Sequence, residues 1–440
     1  MRGLSVYTIV RSTVGLSKNS SLEEWLRWQE SLHATAIDLG LERVAQVASR
    51  LLPPQPPFRI ISISGTNGKG TSAFMLEKLY TAAGYRTGCY TSPHLQRYNE
   101  RIRIDGNEVC DAQICNSFAR IDRERGEISL TYFEFGTLAA LDIFHREQVE
   151  IAILEVGLGG RLDAVNIVDA DVALVCTIDI DHEQWLGSDR ESIGREKAGI
   201  FRRDRPAVCS DPRPPQSILD GAQKAGATLY LAGRDFETWK DGGCWSWRSA
   251  AMGSFTDLPV FRPDNAYLIR NAAGVLMVIR LLAWRYPVPD PVVAKVINEF
   301  YMPGRYQVLP GPVEYILDVA HNRQSMAELA VNLAARPTTG RTRVLIGMLG
   351  DKNHDQALAA LSNSADFWYV VPTPGERGMP AATLAERLGR YVNPARIKTF
   401  DDMQAAFELM DHEANPGDRI VVTGSFLTVA AALNRLHWEM

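Results

Sequence analysis

The stretch FRIISISGTNGKGTSAFMLEKLYTAAG, Phe58 to Gly84, decides how the rest of the chain is read. FRIISIS has the length and β-branched content of a buried strand, and SAFMLEKLYTAAG is long enough for a helix. Between them lies SGTNGKGT, Ser64 to Thr71. A glycine-rich turn between strand and helix lets successive backbone amides surround a phosphate at the helix start. Lys69 then reaches the outer phosphates as a point charge, and Thr71 offers a hydroxyl near the helix start. The loop departs from the common nucleotide motif in two places: Ile63 stands where the first glycine is expected, and Gly70 separates Lys69 from Thr71.

Outward from this unit the same alternation recurs. VEIAILEVGLGG (149–160) is a second buried strand ending in glycines, and DADVALVCTIDIDH (169–182) a third ending in polar residues. RPAVCS is a fourth short strand, and GAQKAGATLYLAG passes from helix to strand. Open α/β sheets place their ligand crevice at the carboxyl ends of such strands. Upstream, SLEEWLRWQESLH reads as an amphipathic helix with Ser21 as N-cap and Glu24 completing a capping box, and IDLGLERVAQVASRLL as a further helical pattern. The segment from Gly233 to Phe255 is rich in aromatics and turns, which predicts an antiparallel excursion. RNAAGVLMVIRLLAW is helical.

A new strand–helix series begins after YMPGRYQV and runs through VEYILDVAH, TRVLIGMLGD, DFWYVVPT and DRIVVTGSFLTVAAALNRL. The expectation is an α/β chain of two domains: a large P-loop-type nucleotide-binding domain, 1–301, then a smaller Rossmann-like α/β domain, 302–440. At 440 residues the chain is long enough for two cores, and 46% apolar against 22% charged residues can fill them, which excludes wholesale disorder. A net charge of -5 gives no global field favouring nucleic acid or an anionic membrane. The opening MRGLSVYTIVRSTVGLSKNSS is too short and interrupted in its apolar run for a signal peptide, and no later stretch approaches a membrane span. Cys89, Cys110, Cys115, Cys176, Cys209 and Cys244 show no close metal-type pairing and read as free thiols of a cytoplasmic protein.

The variant loop resembles the ATP loop of the Mur ligase superfamily, and its GTNGKG form is most similar to that of folylpolyglutamate and dihydrofolate synthases. The resemblance continues through TSPHLQRYNERIRIDG, TYFEFGTLAAL, LEVGLGGRLDAVNIVDAD, IDHEQWLG, ESIGREKAGIF, MPGRYQV, DVAHN and GMLGDKNH, in order along most of the chain. It implies an ATP-dependent ligase that activates a carboxylate as an acyl phosphate and joins it to the amine of L-glutamate. The acceptors it implies are dihydropteroate and reduced folates, with no nucleic-acid or membrane partner and a monomeric state. A monofunctional folylpolyglutamate synthase is the nearest alternative. A cell-wall peptide ligase would leave the TYFE and IDLG segments without a role, and an ATP-driven nucleic-acid motor would want a basic aromatic stripe that the chain lacks.

The same resemblance assigns residues. Thr66, Asn67, Gly68, Lys69, Gly70 and Thr71 would cradle ATP, joined by Asn271, Arg305 and Asp318, with Asn265 as the rival for Asn271. Ser92, Glu155 and His182 would hold magnesium, one of two ions, each following a strand as a shared crevice requires. Lys197 would be carbamylated to N6-carboxylysine, an anion for the second ion, and Lys69, Lys197 and His182 would serve catalysis. The pterin pocket falls to Asp38, Leu39, Gly40 and Leu41, to Thr131, Tyr132, Phe133 and Glu134, and to Leu162, Asp163 and Ala164. For several of these, ordinary packing is the alternative. Arg101, Arg103, His321 and His354 are candidates for the glutamate carboxylates, with surface solvation or ion pairing as the competing reading. GSFLTVA has Leu427 where the bacterial relatives often carry histidine.

Overall fold

The computed structural model describes residues 16–350, 353–375 and 377–436. The first fifteen residues, which include most of the opening segment read above as lacking a signal peptide, lie outside the described residues, as do Asp351 and Lys352 of GMLGDKNH.

Eight strands form the first sheet: β1 (Arg59–Ser64), β2 (Thr87–Tyr90), β3 (Ile102–Ile104), β4 (Asn107–Glu108), β5 (Ile151–Glu155), β6 (Val172–Val175), β7 (Pro206–Cys209) and β8 (Thr228–Leu231). Their order is β4-β3-β2-β5-β1-β6-β7-β8, parallel from β2 to β8 with β3 and β4 as an antiparallel edge. The apolar runs are explained by burial on both faces. Along β5, Ala152 and Leu154 join the core under helices Leu22–Leu32, Asp111–Arg125 and Tyr132–Arg146, while Ile151 and Ile153 join that under helices Lys69–Ala82 and Ala266–Leu282. β1 lies between β5 and β6, so the carboxyl ends of all three open into one crevice.

The aromatic segment makes the expected antiparallel sheet, β9 (Glu237–Asp241), β10 (Cys244–Ser249) and β11 (Gly253–Pro259), in which Trp245 and Trp247 are fully buried. A second, six-stranded sheet begins at Gln307: β12 (Gln307–Leu309), β13 (Glu314–Leu317), β14 (Thr342–Ile346), β15 (Phe367–Val370), β16 (Ile397–Thr399) and β17 (Arg419–Thr423). Its order is β12-β13-β17-β14-β15-β16, parallel except for β12, with a separate core on each face. The structure is thus an α/β architecture of the expected class, with two large, mainly parallel sheets and a small antiparallel one.

Two local readings change. In IDLGLERV the helix starts only at Glu42, and residues 37–41 are non-helical. Asp38 is tied sideways to Arg43 at 2.7 Å, and Gly40 favours an open backbone ahead of the first turn. The helix containing RNAAGV starts earlier, at Ala266, because Asn265 caps it by accepting from the Tyr267 amide. Ser21 and Glu24 form the capping box as read. All six cysteines are free; Cys110 is exposed, Cys244 is half-buried and the other four are buried. No helix among the described residues is long and apolar enough to cross a membrane.

Candidate active site

The loop after β1 is held by its neighbour β6. The Thr66 amide donates to the Thr177 carbonyl at 2.7 Å, and the Thr66 hydroxyl donates to the Asp179 carbonyl at 2.8 Å. Gly68 is the pivot. Its φ is +93°, and a Cβ there would stand 2.4 Å from Oδ1 of Asn271, which is fully buried behind the loop. Gly70 explains the departure from the common motif: its Cα faces the Glu155 carboxylate, with a hypothetical Cβ 3.4 Å from Oε2. The first helical turn can therefore approach the end of β5. Lys69 curls back over the loop, its Nζ donating to the carbonyls of Gly65 at 3.1 Å and Thr66 at 3.4 Å. These are weak partners that an anion would displace.

Around the loop a single cleft of about 910 Å³ takes walls from both sheets. Glu155 ends β5, accepts from the Ser92 amide at 3.1 Å and has its carboxyl pushed up by burial, opposed by Lys69. His182 follows β6 in left-handed backbone (φ +54°), and its amide donates to Asp181. Lys197, on helix Arg190–Ala198, is 3% exposed; burial, reinforced by Lys69, lowers its ammonium to about 7. From the second sheet come Asp318, whose carboxylate accepts from the amides of Tyr306 and Ala320 at 2.8 Å each, and Arg305, stacked 5.0 Å over the Phe426 ring. Burial raises Asp318, with Arg305 opposing.

The structure brings most of the expected residues to this cleft. Thr66, Asn67, Gly68, Lys69, Gly70, Ser92, Glu155, His182, Lys197, Arg305 and Asp318 line it, as do Asp38, Leu39, Gly40, Thr131, Phe133, Glu134, Leu162, Asp163 and Ala164. Four stand back from it. Thr71 and Asn271 are buried beneath the loop, and Asn265, the rival, reaches the cleft wall. Tyr132 packs edge-on against Tyr98, and Leu41 immediately precedes the helix Glu42–Leu51. In the cleft wall, Glu134 caps its own helix by accepting from the Thr131 amide and pairs with Arg43 at 3.0 Å, while Asp38 pairs with the other end of the same guanidinium. Phe133 covers Gly157, where a Cβ would meet the ring at 2.6 Å. Burial raises Asp163 to about 6 against the amides of Leu158 and Val165.

Of the four glutamate candidates, Arg101 and His321 line the cleft. Arg101 donates to Nδ1 of His94, whose own titration burial and Arg101 lower to about 4, so His94 is neutral at physiological pH. Arg103 does not reach the cleft: it is buried in an ion pair with Glu77 at 2.8 Å and donates to Cys89. His354 is also buried, its Nε2 2.7 Å from the Leu349 carbonyl. Residues without a role in the sequence reading also enter, namely His94, Asp181 and Ser425. Their signal was position, since Asp181 and Ser425 follow strands β6 and β17.

The residues fit a hard cation. Ser92 and Glu155 offer oxygen and His182 an imidazole, and no group of three His, Cys, Asp or Glu among the described residues could hold a metal by itself. That donor set suits an ion which keeps phosphate and water oxygens in its shell.

Residues 304–426 match the family model described as Mur ligase, glutamate ligase domain. The dihydrofolate synthase/folylpolyglutamate synthase of Escherichia coli (strain K12) is 44% identical over 411 residues, covering 93% of this chain and 94% of that protein. A solved structure of E. coli FolC in complex with DHPP and ADP superposes with a TM-score of 0.90 at 43% identity, covering 96% of this chain and 99% of that one. A bifunctional folylpolyglutamate synthase/dihydrofolate synthase with Mn, AMPPNP and L-glutamate bound gives 0.87 at 45% identity over the same shares.

Proposed function

The chain belongs to the dihydrofolate synthase/folylpolyglutamate synthase family of Mur-type ligases, and from that membership we propose how its cleft works. The enzyme is an ATP-dependent ligase that adds L-glutamate to dihydropteroate and to folates through an acyl phosphate. The observation that carries this reading is the shared cleft, which has the phosphate loop at its centre, the pterin segments on one side and the second sheet's Arg305, Asp318 and His321 on the other.

ATP lies with its phosphates over the amides of residues 66–70. Lys69 leaves its two carbonyl partners for the outer phosphates, and Arg305 approaches from the second sheet. Asp318 takes the nucleoside end and Asn271 supports the loop from behind. The acceptor's pterin ring enters between Phe133 and the Leu162–Ala164 turn, with Asp38 and Asp163 as its polar partners, so that its carboxylate points at the γ-phosphoryl group. Carboxylate oxygen attacks phosphorus and ADP leaves. The glutamate amine, stripped of its ammonium proton, then attacks the acyl carbon, and the amide forms as inorganic phosphate departs. Arg101 and His321, which line the cleft, receive the glutamate carboxylates, and the hydrogen bond to His94 supports Arg101 in that role.

A solved relative binds manganese together with AMPPNP; here magnesium, as two ions, is the proposed metal, which would neutralise charge on the phosphate oxygens when bound. Ser92, Glu155 and His182 would hold the first ion. Near pH 7–8 a large share of Lys197 is a neutral amine, the form that adds carbon dioxide to become a carbamate, which would hold the second. The proposal further takes the enzyme as a monomer of the cytoplasm.

The test is incubation with ATP, magnesium and glutamate, offering dihydropteroate and tetrahydrofolate separately and resolving products by mass. Gain of one glutamate on each acceptor is the expected result. Gain on tetrahydrofolate alone would leave a monofunctional folylpolyglutamate synthase, and gain on neither would overturn the reading.

A further inference from the structure

Asn67 and Asn322 face each other across the cleft and exchange hydrogen bonds. Asn67 Nδ2 donates to Asn322 Oδ1 at 3.2 Å, and Asn322 Nδ2 donates to Asn67 Oδ1 at 3.0 Å. Asn67 sits in the middle of the phosphate loop, whereas Asn322 caps helix Arg323–Ala335 of the second sheet, its Oδ1 accepting from the Ser325 amide at 3.0 Å. Asn322 Nδ2 has a second acceptor, Oδ2 of Asp181 at 3.1 Å, beside His182. Asn322 as a whole is 5% exposed. One buried side chain therefore joins the helix of one sheet to the phosphate loop and to the end of β6 in the other. The next residues reinforce the junction: Gln324 accepts from Asn67 at 2.8 Å and Arg323 pairs with Asp179 at 2.9 Å.

We propose that Asn322 is a positioning residue that makes approach of the two sheets and alignment of the phosphate loop a single event. The physical reason is that only a carboxamide supplies both halves of the joint. Its oxygen must cap the helix and accept from Asn67, and its nitrogen must donate to Asn67 and Asp181. When the helix draws away, the loop loses the side-chain partner at Asn67 and Asp181 loses a donor. A buried polar network of this kind is stable only when every member is satisfied. The proposal rests on the ligase reading for its kinetic consequence, but its structural consequence stands apart.

The test is Asn322→Asp. Aspartate caps helices as well as asparagine, so helix and fold are retained, but the donor nitrogen becomes an oxygen facing Asp181 Oδ2 and Asn67 Oδ1. At pH 8 with saturating ATP, kcat is expected to fall at least tenfold, with KM for dihydropteroate within twofold of wild type and the helix content of the folded chain retained. Small-angle X-ray scattering should give a larger radius of gyration for the variant. Adding Asp181→Asn returns a donor to the joint and should recover part of the kcat and the compact radius, a rescue that a general packing defect would not show. Wild-type kcat and radius in Asn322→Asp would overturn the proposal, as would a double variant no better than the single. If wild type itself adds no glutamate while Asn322→Asp still expands, the ligase reading fails and the joint stands.

Discussion

Gly68→Ala places a methyl group where the phosphate loop has no room for one. Two costs add. At φ +93° an L-residue is strained by about 1–2 kcal/mol. The new Cβ would also stand 2.4 Å from Asn271 Oδ1, and Asn271 is fully buried on helix Ala266–Leu282 and cannot swing into solvent. Overpacking of that kind costs about 1–3 kcal/mol. The sum, about 2–5 kcal/mol, is relieved most readily by displacing the loop, so it falls on ATP binding. At about 1.4 kcal/mol per tenfold, even the lower end weakens ATP by roughly 30-fold. Isothermal titration calorimetry with ATP and magnesium measures it directly. Gly84→Ala is the control: its φ is +90°, but no atom of the described residues lies within 4 Å of the added Cβ, so it isolates backbone strain and should leave ATP affinity unchanged. Adding Asn271→Ala to Gly68→Ala removes the obstructing atom, and the double variant should lose less than the two single losses combined. If Gly68→Ala bound ATP within threefold of wild type, the loop would not be packed against Asn271 as described.

Arg103→Met should destabilise the protein by about 3–5 kcal/mol in urea denaturation, because Glu77 is left buried without its partner, while Arg103→Met/Glu77→Met should recover most of the loss. Arg101→Met, two residues away but facing the cleft, should instead raise KM for glutamate and leave the urea midpoint in place. Lys197 gives a pH dependence whose sign follows from its lowered titration. The unfolded chain keeps that proton to about 10.4 and the folded chain to about 7, so between these values unfolding takes up a proton and stability rises with pH by up to about 4 kcal/mol. Metal-free, CO2-free melts of wild type and Lys197→Met from pH 6.5 to 9.5 check it: the rise should be present in the first and absent in the second.

The legible parts of the site were those whose chemistry is local. A phosphate loop needs a strand, glycines and a helix in immediate succession, so FRIISISGTNGKGT announced it. Glu155, His182 and Ser92 follow strands, and an open parallel sheet gathers such positions at one edge. What remained illegible depended on which side of a short segment faces the cleft. Arg101 and Arg103 are two residues apart and looked equivalent, yet Arg103 points across the sheet to Glu77 while Arg101 enters the cleft. Asp38 and Glu134, far apart in sequence, owe their relation to the single guanidinium of Arg43.

By itself the sequence determined the two α/β series and the phosphate loop, because periodicity and contiguous motifs are properties of neighbouring residues, while the reaction class came from the resemblance of its ordered motifs to the Mur ligase superfamily. The tertiary structure decided why Gly70 follows Lys69, which candidates reach the cleft, and that Asn67 is bonded to Asn322. Those depend on Glu155, Arg43 and the Arg323–Ala335 helix arriving from remote parts of the chain, and such encounters are set by packing two sheets against each other, which leaves no periodic trace in the sequence.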